Sequence, residues 1–337
     1  MKSLKKIVVL YNLPDTFSEA DLDTQKTAMA VDENLKKSGY ASEVLGIYPR
    51  DVDRISDIRA DLVFNLIEWA GKETEDGVTA VKILEKMGMP FTGSSAWGYL
   101  LTCDKVMMKR HMDKHKIVTP KWQVFETGDE TVDKKLKYPL IVKPSRQHCG
   151  IGITQDSVVG DDTALAAKAR ELVDTYHEPI LAEEYIAGRE LHVTMLEKNG
   201  RPWVLPAAEV TFKEQKGYVP ILSYDMKWNE KSWEYNMAGD MAIPELPAAF
   251  KRQLETTAVI CYRKLGGRDY PRLDVRIRQG KLYVLEINNN PGIDFETDSG
   301  IGMSARAAGF KTFGALLSHI VENAYYRWRE TYDAAAA

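Results

Sequence analysis

The sequence predicts an α/β protein of mixed, α+β character, with a parallel sheet covered by helices at its start and an antiparallel ribbon near its end. The first observation is a β-α-β opening. Lys5 to Tyr11 reads as a buried strand, Leu22 to Ser38 as an amphipathic helix ended by Gly39, and Ser42 to Ile47 as a second strand. The second is the stretch RLDVRIRQGKLYVLEINNNPG, from Arg272 to Gly292, where apolar residues flank the turn Gln279-Gly280 as in a β-hairpin. The third is composition: 337 residues suffice for two or three packed units, and 44% apolar with 28% charged residues is the balance of a folded globular chain.

Charge and cysteine content exclude several classes. The formal net charge of -4, from 45 Lys and Arg against 49 Asp and Glu, gives no global field for nucleic acid, so anion binding has to be local. Cys103, Cys149 and Cys261 are odd in number and far apart, which fits neither a zinc site nor a disulfide framework and suits a reducing, cytoplasmic compartment. The run Ile7 to Tyr11 is too short for the apolar core of a signal sequence, and no apolar run approaches the roughly 20 residues of a membrane span. No internal repeat, low-complexity tract or long linker is present, and the terminal Ala334 to Ala337 carries no information.

Further along, Asp61 to Leu66 supplies another strand and Gly77 to Met87 a helix stopped by Gly88, completing the first sheet. G-x-G-x-x-G is absent, which disfavours a dinucleotide, although the carboxyl ends of the strands remain a natural place for a small substrate. Leu101-Thr-Cys-Asp-Lys105 leads a helix through Met108 and Met112, with Pro120 marking its exit. His111 and His115 stand at i, i+4, but Met112 occupies the place where H-E-x-x-H needs Glu, so both read as surface or packing histidines. Pro139 to Pro144 is an apolar strand carrying Lys143, and a lysine in a buried strand needs an anion, phosphate being the obvious one. The loop Ser145 to Gly152 offers backbone N–H groups that suit phosphate oxygens. Pro179 to Ile186 is a strand entering a short hinge, and Gly188 to Val193 begins the next sheet. Val210 to Pro247 reads as a long loop whose aromatic content favours a lid over disorder. Ala248 to Leu265 and Phe313 to Arg327 are amphipathic helices, with Phe295 to Gly302 as a loop between hairpin and closing helix.

The hairpin carries the chemistry. Asp274 sits on its first strand, and Glu286 and Asn288 sit two residues apart on the second, hence on one face. Two carboxylates and an amide oxygen are what Mg²⁺ takes when phosphates and water complete its octahedron. A solvated surface hairpin would also accommodate D-x-V alone. The longer composite R-x-D-x(11)-E-x-N-x-x-P-G is hard to obtain by chance, and its Pro and Gly make a turn whose backbone can approach a ligand.

These motifs resemble the ATP-grasp fold, and closely the D-alanine:D-alanine ligases and related carboxylate-amine ligases, over roughly Asp61 to Leu317. The resemblance implies an N-terminal α/β domain (1–95), a central subdomain (96–184) and a C-terminal subdomain (185–330), with nucleotide between the last two. Asp274, Glu286 and Asn288 would hold two Mg²⁺ ions, with Mn²⁺ as a substitute, on the phosphates of ATP. Arg272 and the N–H of Gly292 would face the developing oxyanion. Lys105 would reach the α-phosphate, Lys143 and the loop with Ser145, Cys149 and Gly150 would meet the β- and γ-phosphates, and Lys227 would meet the transferred phosphoryl group. Glu183 would accept from the adenine amino group, the backbone of Glu184, Tyr185 and Ile186 would read the ring edge, and Glu190 would bond the ribose. An exposed acidic turn also accounts for Glu184. Glu75 would orient substrate, unless it is a solvated acid before a helix, and Thr297-Asp298 stands where the family holds the second substrate's carboxylate.

The departures from the family gather at the substrate end. Tyr11-Asn12-Leu13-Pro14-Asp15 stands where the family has both a glycine pair and an acid-bearing motif, Cys149 replaces a serine, Trp228 a tyrosine, and Thr297-Asp298 a serine-leucine pair. An acid opposite a carboxylate repels it, so the acceptor is expected to be cationic, to lack that carboxylate or to bind in another pose. The expected reaction is ATP-dependent joining of two amino acids or small amino compounds through an acylphosphate, with substrates other than a D-alanine pair. A true D-alanine:D-alanine ligase, a phosphotransferase and a non-catalytic nucleotide-binding module remain alternatives. Small amino acids or peptides are the expected partners, without nucleic acid or membrane. Dimers are common among such enzymes, so a homodimer is a further expectation.

Overall fold

The structure, a computed structural model, describes residues 6–13 and 19–336, leaving aside the side chains of 19–22 and 332–336. Pro14 and Asp15 of the first-strand departure therefore lie outside the described residues. The chain opens with β1 (Lys6–Asn12), α1 (Glu19–Lys37), β2 (Ala41–Ile47), β3 (Leu62–Leu66) and α2 (Thr74–Met87). β1 lies between β2 and β3, all parallel, as the β-α-β reading requires. Alternation along β1 builds two cores at once. Ile7, Val9 and Tyr11 pack on α1, while Val8 and Leu10 pack on Val78, Val81 and Leu84 of α2. Gly88 ends α2 in the left-handed region, φ 66°.

Next come α3 (Ala96–Cys103), α4 (Lys105–Lys114), β4 (Trp122–Phe125), β5 (Leu140–Pro144), β6 (Val158–Val159), α5 (Asp162–Tyr176) and β7 (Ile180–Glu184). The sequence reading missed α3. It is short and apolar nearly throughout, so it has no amphipathic period, and only Ser95, accepting from the Gly98 N–H at 3.2 Å, marks its start. Asp104 caps α4 in the same way through Met107 N–H at 2.8 Å. β4, β7, β5 and β6 form an antiparallel sheet with α5 on one face.

The third sheet holds β8 (Arg189–Lys198), β9 (Arg201–Val204), β10 (Ala208–Val210), β11 (Arg272–Arg278) and β12 (Lys281–Asn288). Its order is β10-β8-β11-β12, with β9 also on β8 and every pairing antiparallel. α4 and α7 (Ala248–Lys264), numbered after the short α6 (Tyr224–Trp228), cover one face of it. The expected long loop is thus corrected. α6 and bridges between Glu209 and Ala242 and between Phe212 and Ala238 fold that segment into an ordered flap. α8 (Gly300–Ala307) replaces the end of the supposed loop before the closing helix α9 (Phe313–Ala336). α9 returns to the first sheet, where Leu316, Leu317, Ile320 and Val321 join the core under β1 and α1.

The turn after β12 locks the sheets together. Asn289 Nδ2 donates to Gly98 O at 2.9 Å and Leu265 O at 2.7 Å, and Asn290 Nδ2 donates to Ile67 O at 3.0 Å. The buried amides thereby hold the end of the hairpin against the carboxyl edge of the parallel sheet.

Candidate active site

All three sheets border one cavity of about 1030 Å³. Asp274 and Glu286 are register partners in the hairpin, and Arg272 opposes Asn288, so the four share the face that lines this cavity. Arg272 forks onto Asp274 with bonds of 2.7 and 2.9 Å, and Asn288 Nδ2 adds a third at 3.1 Å. Asn288 Oδ1 is left over for another partner. Burial pushes the Glu286 carboxyl up, but Lys105, Lys143 and Arg272 outweigh it and hold the group far below the usual carboxylate range. It is therefore ionised. Among the described residues no group of three or more His, Cys, Asp or Glu converges as a metal cage. Two carboxylates and an amide oxygen fit the different habit of Mg²⁺, which keeps water and phosphate in most of its positions.

Opposite the hairpin stands a set of buried lysines. Lys143 Nζ donates to Glu183 Oε1 at 2.5 Å, and Lys109 Nζ donates to Thr119 Oγ1 at 2.6 Å and forms an ion pair with Glu183 Oε2 at 2.6 Å. Burial works against the charge on all three lysines here. It wins at Lys105 and Lys109, whose pKa values are lowered, whereas Glu183 and Glu286 outweigh it at Lys143, which is raised. Lys105 Nζ hydrogen-bonds Gln147 O, tying α4 to the phosphate-type loop. Glu183 thus has a lysine against each oxygen while it lines the cavity, so an adenine amino group would share it with them. Lys109, absent from the sequence reading, stands one helical turn after Lys105. That spacing was the available signal.

The loop and the flap close on each other. Trp228 Nε1 donates to Cys149 O at 2.9 Å, and Tyr224 N donates to Ile153 O at 3.1 Å. Gly150 has φ 82°, and a Cβ there would stand 3.0 Å from Tyr224 N, so only glycine allows this approach. Lys227 lies on α6 and lines the cavity. The thiol of Cys149 is pushed up to about 11 by burial and by Glu68, so it is not a thiolate nucleophile at neutral pH. At the hinge, Arg276 holds Glu190 at 2.8 Å, Ile186 O at 3.1 Å and Pro220 O at 2.5 Å, while Tyr185 Oη donates to Pro220 O at 3.1 Å. Glu190 lines the cavity with its carboxylate already ion-paired, so a ribose would have to share it with Arg276.

A family model described as the D-ala D-ala ligase C-terminus matches residues 112–322, well over half of the chain. The chain belongs to the D-alanine–D-alanine ligase family. It is 30% identical over 332 residues to the D-alanine--D-alanine ligase of Marinomonas sp. (strain MWYL1), covering 96% of this chain and 98% of that protein. It is 33% identical over 273 residues to the uncharacterized protein y4sG of Sinorhizobium fredii (strain NBRC 101917 / NGR234), covering 79% of this chain and 75% of that one. The crystal structure of D-alanine--D-alanine ligase from Bacillus anthracis superimposes with a TM-score of 0.75 at 25% identity, over 97% of this chain and 99% of that one. As a member of this family the chain is an ATP-binding ATP-grasp ligase that forms an amide bond. Among the described residues no helix is long and apolar enough to cross a membrane.

Within this ligase several expected residues stand apart from the cavity. Ser145 is 1% exposed, and its carbonyl accepts from Lys105 N at 2.9 Å, so it supports the loop from beneath instead of facing phosphate. Glu75 is exposed in the first turn of α2, outside the cavity wall; Glu68 and Glu73, a few residues earlier, line it. Thr297 and Asp298 are exposed and also outside the wall, because the chain turns away after Asp294 to cap α8. Asp294, before that turn, lines the cavity where they do not. Glu184, read as fitting an exposed acidic turn, is 8% exposed. Glu68, Arg276 and Asp294 had no motif to reveal them; only the fold brings them to the hairpin.

Proposed function

We propose that this ligase joins an amino acid or small amino compound to a second one through an acylphosphate, with Mg²⁺ on Asp274, Glu286 and Asn288, and that its substrates are not a pair of D-alanines. The observation that carries the reading is one cavity holding the hairpin acids, the lysines Lys105 and Lys143, and the pair Arg272 and Gly292. Bound at the hairpin, Mg²⁺ would supply positive charge to phosphate oxygens and so reduce their repulsion of the carboxylate that attacks phosphorus. The chain's own residues do the rest. Lys105, Lys143 and Lys227 neutralise a polyphosphate, and their preorganised charge is the largest expected catalytic contribution. The substrate carboxylate attacks the γ-phosphorus and ADP leaves. An amine then attacks the acyl carbon, Arg272 and the Gly292 N–H hold the oxyanion, and phosphate leaves.

Support for an altered substrate pair comes from the wall beside Arg272, which carries Glu68, Asp23 and Asp294 together with Cys149 and Trp228. That wall is more acidic than a small zwitterion requires. Three free cysteines, two of them buried, suit the cytoplasm as the working compartment. Incubation with ATP, Mg²⁺ and pairs of D- and L-amino acids, followed by mass spectrometry, tests the reading. The expected result is a condensation product with equimolar ADP and phosphate from a pair other than two D-alanines. D-alanyl-D-alanine as the sole product would overturn the substrate assignment.

A further inference from the structure

Glu68 follows β3 at the carboxyl edge of the parallel sheet and lines the cavity beside Arg272. Its main chain is pinned on both sides. The Glu68 N–H donates to Asn12 Oδ1 at 2.9 Å, and the next carbonyl, of Trp69, accepts from Tyr99 Oη at 2.7 Å. Its carboxylate, by contrast, accepts no hydrogen bond from any described residue. The cation that acts on it, Arg272, is already forked onto Asp274. A fixed backbone thus presents an acid without a partner to the space shared with the oxyanion groups, and a carboxylate drawn partly out of water in this way requires a donor from elsewhere.

We infer that Glu68 receives the incoming amine, pairing with its ammonium form and removing the proton that must leave before nitrogen attacks the acyl carbon. This rests on the ligase reading above and supplies the proton acceptor which that reading leaves open. The proton passes from R–NH₃⁺ to the Glu68 carboxylate. The freed lone pair forms the C–N bond, the C–O bond to phosphate breaks with its electron pair leaving on phosphate, and the second of the three ammonium protons passes to that departing phosphate, so that nitrogen ends as an amide N–H. The surroundings suit the task. Burial, opposed by Arg272 and assisted by Asp23, places the Glu68 pKa at about 7, where a carboxylate is both available and basic enough. The other titratable groups that face it are Tyr99, Cys103, Cys149 and Tyr270, with Asp294 acting through Asp23. The tyrosines and thiols are raised and so neutral at this pH, leaving Arg272 and Asp23 as the charges that act on it.

Hydroxylamine provides the test, because it is neutral near pH 7 and captures an acylphosphate without losing a proton first. Each L-amino acid and its D enantiomer is offered with ATP, Mg²⁺ and either hydroxylamine or a second amino acid, to wild type, Glu68→Gln and Glu68→Asp. Hydroxamate formation by Glu68→Gln is expected within about threefold of wild type, while amide formation falls about 100-fold or more. In wild type, kcat/KM for the amide reaction should rise with pH through about 7 and level off as Glu68 loses its proton. That rise should vanish in Glu68→Gln and return in Glu68→Asp. An equal loss of hydroxamate and amide in Glu68→Gln, or an unchanged amide rate, overturns the assignment. If wild type makes no hydroxamate from any carboxylate, the acylphosphate reading fails first and the role of Glu68 falls with it.

Discussion

At the scale of single residues, two acids in the same cavity are held ionised by lysines but serve different ends. Glu286 has its lysines across open space, so it can turn to a cation. Glu183 has its lysines in direct contact, at 2.5 and 2.6 Å, and builds the wall. Glu286→Ala is therefore expected to leave the far-ultraviolet circular dichroism intact and to reduce turnover at saturating Mg²⁺ below about 1% of wild type, a loss at or beyond that of removing a metal's outer-shell partner. Near-normal turnover would remove Glu286 from the metal set. Lys109→Met breaks a buried ion pair and should destabilise the fold by about 3 kcal/mol in urea titrations. Although burial raises the Glu183 carboxyl, Lys109 and Lys143 lower it further, to a net value below 4.5. A depressed carboxyl stabilises above its unfolded value and loses that contribution as pH falls through its folded one, so the gap between wild type and Lys109→Met should be full at neutral pH and shrink below pH 4.5. The face of Asp274, Glu286 and Asn288 was legible because a strand alternates strictly. The partner of Glu183 was not, because sequence spacing shows that Lys105 and Lys109 share a helix face without showing which acid lies opposite.

At the scale of elements, the strands and long helices were legible from period and punctuation, whereas the flap was not. α6 is too short to show a period, and its order comes from afar: Ser223 Oγ meets Glu234 at 2.5 Å, and Gln155 Oε1 accepts from Val219 N at 2.8 Å. The contact of loop with flap gives two expectations. Gly150→Ala forces a side chain into the left-handed region and against Tyr224 N, about 1–3 kcal/mol of strain, so ATP binding measured by calorimetry should weaken by roughly 5- to 150-fold. Trp228→Phe removes one hydrogen bond to Cys149 O, worth about 1 kcal/mol, and should raise KM for ATP about fivefold. Unchanged nucleotide binding in both variants would mean that the flap does not form part of the nucleotide site.

At the scale of the whole molecule, the chain closes on itself. α9 extends beyond its expected end at Arg327, and that residue reaches back to Asp269, with Nη2 bonds of 3.2 Å to Asp269 Oδ2 and 3.0 Å to Phe91 O. Asp269 is 1% exposed and also accepts from Gly93 N at 2.8 Å. Arg327→Ala leaves a buried acid short of its cation and should cost about 3 kcal/mol of stability, read as a lower urea midpoint. No local pattern announces such a tie, since its two ends lie far apart in the chain. The juxtaposition of hairpin, lysines and parallel-sheet edge was legible only through the order of the motifs, and the substrate wall with Glu68 and Asp294 emerged from the fold. The central claim is that a substrate carboxylate in this cavity takes the γ-phosphoryl group before an amine displaces it. Turnover of an amino acid labelled with ¹⁸O in its carboxylate, with mass analysis of the released phosphate, addresses that step itself. One ¹⁸O atom per phosphate is the expected result; phosphate free of label during amide formation would contradict it.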